Sequence, residues 1–269
     1  MSAITSHSRR YLVAGAAVLA LAAAGYGLGR VYPALGPVAA TIAPQRYVDS
    51  LTDGQIPARG RYVLVDAASA RLFMIEDGRV RDSMRVIVGK PAAATPALRS
   101  VINYATLNPY WHVPPDLAQK LIAPRVLKDG PAYLAERGYE VVTDFRNPQL
   151  LSPDSVDWEK VAAGQAEVHV RQRPGPANSM GQLKFDLPDG NGIYLHDTPN
   201  KDLFAKAERN LSNGCVRLED APRFARWLLG NDPPLAAAPP EKHLLLPRAV
   251  PITISYLDAR AQMQLAGLQ

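Results

Sequence analysis

The chain has 269 residues, 47% of them hydrophobic, and a formal net charge of +5. This length suits one large domain or two modest ones, with ample apolar material for a core. The basic excess is mild and lacks a dense Lys/Arg patch interleaved with aromatics, which argues against a nucleic-acid partner; an anionic envelope polymer or a lipid headgroup matches such a charge better.

Residues 11–28, YLVAGAAVLALAAAGYGL, carry no charge and follow HSRR. Roughly 20 apolar residues span a bilayer as a helix. Arg9 and Arg10 ahead of the run favour a cytoplasmic tip. Residues 1–30 therefore read as a transmembrane signal-anchor in the inner (cytoplasmic) membrane, with the rest of the chain in the periplasm or cell envelope. The alanines at 22–24 leave a cleaved signal peptide open. A buried core helix is the third reading, against which the N-terminal place and the lack of a polar face both count. Residues 31–58 are rich in Pro, Ala and Gly with little periodicity, and read as a linker.

From Tyr62 the pattern is β. YVLVD, RLFMIEDG with its Asp77-Gly78 turn, and RVRDSMRVIVGK predict a strand meander, and SVINYATL predicts another strand. The character then changes. Prolines at 109, 114, 115, 124 and 131 do not fit the middle of a strand. LAQKLI and AYLAERG predict short helices, the second closed by Gly138, within a helical insertion over about 109–163 of the kind that caps a substrate site. β character returns in AEVHVRQRPG and GQLKFDLPDGNGIYLHD, with LPDGNG as a tight turn. LFAKAERNL predicts a helical turn or two. DAPRFARWLLG is a clearer helix, with Asp220 as N-cap, Pro222 in the first turn and Gly230 at the C-terminal end. VPITISYL predicts a final strand, and 258–269 a C-terminal tail.

The chain has one cysteine, Cys215, and five histidines. A lone thiol in an exported protein cannot form an internal disulfide, so it points to a chemical use; the alternative is a small buried hydrophobe. A thiol attacks as thiolate and needs a base. His7 precedes the apolar run, His243 lies in a proline-rich tail segment, His112 in the insertion and His169 in mid-strand. His196 ends the strand GIYLHD, 19 residues before Cys215, and is the best base. Ser212, Asn213 and Gly214 form a turn that presents the thiol, and the amides of Gly214 and Cys215 are candidate donors to an oxyanion. Tyr194 shares a strand face with His196. Arg217 suits a substrate carboxylate, with a surface salt bridge as its ordinary alternative. Zinc is disfavoured, since no further cysteine or suitably spaced histidine completes a ligand set.

IYLHDTPNKDLF…SNGCVRL resembles the signature of the L,D-transpeptidase catalytic domain, also called the YkuD domain: a histidine, a spacer, then Ser/Thr-His-Gly-Cys and a short segment with Asn or Arg. YVLVDAASARLFMIEDGRVRDSMRVIVGK resembles the family's first strands, and residues 95–142 resemble the branch with a capping subdomain. The resemblance implies a mainly β fold with short helices (α+β), a curved β-sheet or sandwich over 59–257 with the cap inserted above a cleft, and no cofactor. It implies Cys215 as nucleophile, His196 as base, the backbone carbonyl of Asp197 as the group orienting the imidazole, and Gly214 in the oxyanion hole. Tyr194, Arg217, Ser212, Asn213 and Trp111, with Tyr110, become substrate-binding candidates. The implied substrates are peptidoglycan stem peptides, and carbapenem-type inhibitors are expected to acylate Cys215. The implied reaction attacks the third-residue carbonyl of a tetrapeptide stem, releases D-Ala and passes the acyl group to an amine, giving a 3–3 cross-link. Transfer to water or to a protein lysine, and a non-catalytic wall-binding module, remain open. Asn213 departs from the family pattern, which has a second histidine there.

Overall fold

The computed structural model describes residues 59–188 and 192–266. The expected membrane segment at 1–30, the linker at 31–58 and the tip of the LPDGNG turn lie outside the described residues. Among the described residues no helix is long and apolar enough to cross a membrane.

Nine strands form one sheet. In chain order they are β1 (Arg61–Asp66), β2 (Arg71–Glu76), β3 (Arg79–Gly89), β4 (Leu98–Leu107), β9 (Leu183–Asp186), β10 (Tyr194–His196), β11 (Asn210–Ser212), β12 (Val216–Leu218) and β13 (Lys242–Ser255). Their spatial order is β11-β3-β12-β10-β9-β4-β13-β1-β2, and β2 pairs back to β3, so the curved sheet closes on itself. The long β3 makes the closure. Its first half pairs with β2, and its second half pairs with β12 and with β11. Closure leaves few unpaired backbone groups at edges.

The apolar runs are continuous because both faces are covered. Val63, Val65, Leu72 and Met74 join the main core, whereas Tyr62, Leu64, Phe73 and Ile75 pack with Leu257 and Leu265. Leu265 belongs to a C-terminal helix (Ala259–Ala266) in the segment expected to be a tail. The predicted helix of DAPRFARWLLG spans Ala221–Leu229. Asp220 accepts from the Arg223 amide, and Gly230 closes it in the left-handed region. This helix adds Phe224 to the main core, edge-on to Phe185 at 4.9 Å.

β13 is longer than VPITISYL implied. Its register against β4 shifts between Leu245 and Val250, around Pro247, which cannot donate to the ladder. His243 is consequently a strand residue opposite Thr106, not part of a tail.

The insertion between β4 and β9 differs more from expectation. Its helices are Pro115–Leu117, a π-type turn at Ala118–Ile122, α1 (Ala123–Asp129), α2 (Ala132–Glu136) and α3 (Trp158–Ala162). Pro124, which has no N–H to return to the preceding turn, accompanies the change of helix type. The insertion also holds a four-stranded antiparallel sheet, in the order β5 (Trp111–His112), β8 (His169–Gln172), β6 (Tyr139–Val142), β7 (Leu150–Leu151). It is therefore α+β rather than helical, and it extends past 163. The alternating apolar residues of β8 look the same whichever sheet they join. Val113, Ile122, Val126, Leu134, Val141, Trp158 and Val170 give the subdomain its own core.

The two ends of the insertion are tied by one buried amide. Asn178 Nδ2 donates to the carbonyls of Pro109, Gln172 and Arg173, at 2.9, 3.2 and 2.9 Å. Its Oδ1 accepts from the Met180 amide at 2.7 Å. Asn178→Ala removes all four bonds from a buried site. It should lower stability by about 2–3 kcal/mol, read as a lower urea midpoint.

Candidate active site

β10 lies between β9, antiparallel, and β12, parallel. The register sets His196 opposite Lys184 on one side and Arg217 on the other. Paired residues share a face and alternate residues return to it, so Tyr194, His196, Arg217 and Cys215 all belong to one face of the sheet. Cys215 stands immediately before β12, one diagonal step from His196.

The elbow carrying Cys215 crosses the end of β3. β11 pairs parallel to β3 at Val88 and Gly89, and β12 pairs antiparallel at Val86 and Ile87. Asn213 and Gly214 make the crossing, with Gly214 at φ 122°, a conformation that favours glycine. Ser212 Oγ donates to the Cys215 carbonyl at 2.6 Å and accepts from the Gly214 amide at 3.1 Å. Thr95 Oγ1 accepts from the Gly89 amide at 2.8 Å and donates to the Gly214 carbonyl at 2.7 Å.

One expectation changes here. The Gly214 amide is engaged by Ser212 and does not stand as an open oxyanion donor. Ser212 is buried and its hydroxyl builds the elbow, while the residue also lines the cavity described below.

The imidazole of His196 is 5% exposed. Its Nδ1 lies 2.5 Å from the Asp197 carbonyl oxygen. A carbonyl only accepts, so Nδ1 carries the proton and Nε2 is the basic nitrogen. Burial, then the Arg217 and Lys184 cations, push its pKa down to about 4, against the opposing pull of Asp197. Arg217 is itself shifted downward by burial, which a thiolate at Cys215 would oppose only in part. Its Nε is buried with no hydrogen-bond partner among the described residues. Cys215 is half-buried, with Sγ 3.9 Å from the Gly192 carbonyl oxygen.

A cavity of about 660 Å³ joins this face to the inserted subdomain. Its floor includes Tyr194, His196, Asn213, Cys215 and Arg217, and its roof Trp111, His112, Asp116, Leu121, Arg125, Tyr133 and Tyr139. Two other clefts are smaller, about 430 and 320 Å³. Trp111 lines this cavity. Tyr110 does not; its ring lies under the Arg171 guanidinium, 4.3 Å away. Asn213 is exposed. Among the described residues no group of His, Cys, Asp or Glu is arranged to hold a metal ion. Thr95, His112, Arg125, Tyr133 and Tyr139 were not foreseen. They lie far from Cys215 in the chain and have no spacing signal; only the folding of the cap and of the loop after β3 brings them near.

A family model described as L,D-transpeptidase catalytic domain (YkuD) matches residues 60–240. A Haemophilus influenzae protein described as "Putative L,D-transpeptidase" is 35% identical over 174 residues, 65% of this chain. The chain spans only 35% of that relative's length. Among solved structures, an L,D-transpeptidase from Mycobacterium smegmatis is 15% identical, with a TM-score of 0.36 over 72% of this chain and 58% of its own. The ertapenem-acylated catalytic domain of the E. faecium L,D-transpeptidase is 13% identical, with a TM-score of 0.34 over 71% of this chain and 99% of its own. Those structural likenesses are too distant to weigh, and the assignment rests on the sequence match. The chain belongs to the YkuD family of L,D-transpeptidase catalytic domains.

Proposed function

We propose that this protein is a peptidoglycan L,D-transpeptidase that works through a thioester on Cys215. One observation carries the reading. A thiol, an imidazole held as its Nδ1–H tautomer and a half-buried guanidinium open into one cavity, on one face of one sheet. Family membership supports the substrate class, peptidoglycan stem peptides.

In this reading His196 Nε2 takes the thiol proton as Sγ bonds to the third-residue carbonyl carbon of a tetrapeptide stem. The tetrahedral adduct collapses, the carbon–nitrogen bond to D-Ala breaks, and the imidazolium returns its proton to the leaving amine. A second stem's amine then attacks the thioester, His196 takes the amine proton, and the thiol is restored with a 3–3 cross-link formed. The covalent intermediate divides one difficult acyl transfer into two easier ones. Arg217, a half-buried cation beside the thiol, stabilises the thiolate and receives a stem carboxylate. The aromatic roof of Trp111, Tyr133 and Tyr139 keeps water from competing with the amine. The uncharged run at 11–28 behind Arg9 and Arg10 supports tethering of the domain at the outer face of the cytoplasmic membrane.

Incubation with a tetrapeptide muropeptide should release D-Ala and yield a cross-linked dimer by mass spectrometry. A carbapenem should add one adduct per chain, at Cys215. Retention of full activity by Cys215→Ala sinks the assignment, and a tripeptide product without dimer points to water as acceptor. Arg217→Met should slow acylation about 100-fold, a loss near 2.7 kcal/mol of transition-state stabilisation. Arg217→Lys should recover only part, since an ammonium lacks the planar fork.

The depressed pKa of His196 also has a sign. Above the ordinary histidine value of about 6.5, folded and unfolded chains both carry it neutral. Between about 6.5 and the folded value of about 4 the unfolded chain binds a proton that the folded chain refuses. The contribution is therefore fully present above pH 6.5 and is lost as pH falls to 4, by roughly 3 kcal/mol. A ring resonance that titrates near pH 4 by NMR, and a stability loss absent from His196→Gln, are expected; titration near 6.5 overturns this.

A further inference from the structure

The loop after His196 carries an ion pair that the mechanism above does not use. Lys201 opens a short 3₁₀ turn, Lys201–Ala205. Its ammonium lies 2.6 Å from Asp197 Oδ1. The same ammonium donates to the Glu219 carbonyl at 2.9 Å and the Leu218 carbonyl at 3.3 Å. Asp197 directly follows β10, the strand of His196. Leu218 ends β12, the strand that begins just after Cys215. One side chain therefore bridges the C-terminal ends of β10, which carries His196, and β12, which follows Cys215.

Asp197 is held on its other sides as well. Its second carboxylate oxygen accepts from the Gln182 amide at 3.0 Å, and its own amide donates to the Leu183 carbonyl at 2.8 Å. Gly181 has no side chain where Asp197 sits: a Cβ there would lie 2.3 Å from Asp197 Oδ2. The one Asp197 group turned toward the chemistry is its carbonyl, the acceptor for His196 Nδ1–H. An exposed lysine–carboxylate pair alone contributes little. This one joins a carboxylate only 11% exposed and two main-chain carbonyls at a strand end.

We propose that Lys201, acting through Asp197, is a positioning residue for the reaction: it locks the carbonyl that selects the His196 tautomer and fixes the β10 end against β12. The proposal rests on Cys215 and His196 as nucleophile and base. Lys201 does not line the cavity, so it acts on the geometry of the pair and not on substrate affinity. Without the clamp the Asp197 peptide can turn, Nδ1–H loses its acceptor, and the tautomer with Nε2–H, which cannot take a proton from the thiol, becomes populated.

The test compares Lys201→Met, Lys201→Arg and wild type in the full chain. Because Cys215 is the only cysteine, iodoacetamide alkylation reports its reactivity without any peptidoglycan substrate. Lys201→Met should slow D-Ala release about 10- to 100-fold in kcat with KM within about threefold. It should also change the pH profile of alkylation and shift the His196 ring nitrogen resonances away from a pure Nδ1–H pattern. Lys201→Arg, which keeps charge and donors, should restore most of both. A merely structural role lowers the urea midpoint and leaves the alkylation profile and ring resonances unmoved; that result overturns the proposal. Should Lys201→Met fail to fold, Asp197→Asn removes the ion pair while retaining an acceptor for Gln182, and the same readouts decide. A wild type that alkylates with a His196-dependent profile but never releases D-Ala defeats the transpeptidase reading and leaves the positioning role standing.

Discussion

The parallel pairing of β10 with β12 is the contact on which the site depends. Leu195 faces Val216 and His196 faces Arg217 across it. The two strands are short, and the chain between them makes a 3₁₀ turn, a further strand and the crossing over β3 before it returns. Nothing local holds the pair in register. Fully buried Leu195, Val216 and Leu218 anchor one face in the main core, and because side chains alternate, that same anchoring presents His196, Arg217 and Cys215 on the other. A slip of one residue would bury the reacting groups and expose the core.

That arrangement also sets the electrostatics. In its row the imidazole has cations on both sides, Lys184 and Arg217, and it is buried. Each of these disfavours the imidazolium. The imidazole is therefore neutral, with its unprotonated Nε2 free to accept, and the nearby guanidinium would favour a thiolate at Cys215. The Asp197 carbonyl opposes this only in part, and its larger contribution is orientation: it decides which ring nitrogen holds the proton. Base strength and base geometry thus come from different neighbours.

The roof is built on separate principles. The main sheet closes on itself, so the insertion cannot extend it and instead forms its own small sheet and core. A subdomain joined by two chain crossings would be free to swing. Here Asn178 spans both crossings with three donated bonds and one accepted bond, and Gln172 adds bonds to Arg137, Ala177 and Ser179. The aromatic roof therefore stands at a set height above Cys215.

Much of this was readable before folding, wherever local physics decides. The strand runs from Tyr62 to Gly89 follow from side-chain periodicity. The Ala221–Leu229 helix follows from Asp220, Pro222 and Gly230, each of which acts within its own turn. The elbow at Ser212, Asn213 and Gly214 was legible because few residue types suit such a turn, and the lone cysteine and its upstream histidine, singled out by their chemistry, line one cavity. Partner choice was not. β8 has the same alternation whether it joins the main sheet or the cap, His243 looks like tail until Thr106 is opposite it, and nothing around Lys201 announces that its ammonium will bridge Asp197 to Leu218 and Glu219. The Gly214 amide reads as an oxyanion donor in the sequence because the hydroxyl that engages it, two residues back at Ser212, has no fixed direction there. Which residues have the right chemistry is encoded along the chain; which of them meet is decided by long-range packing, since the free energy of a contact belongs to two distant residues together and to neither alone.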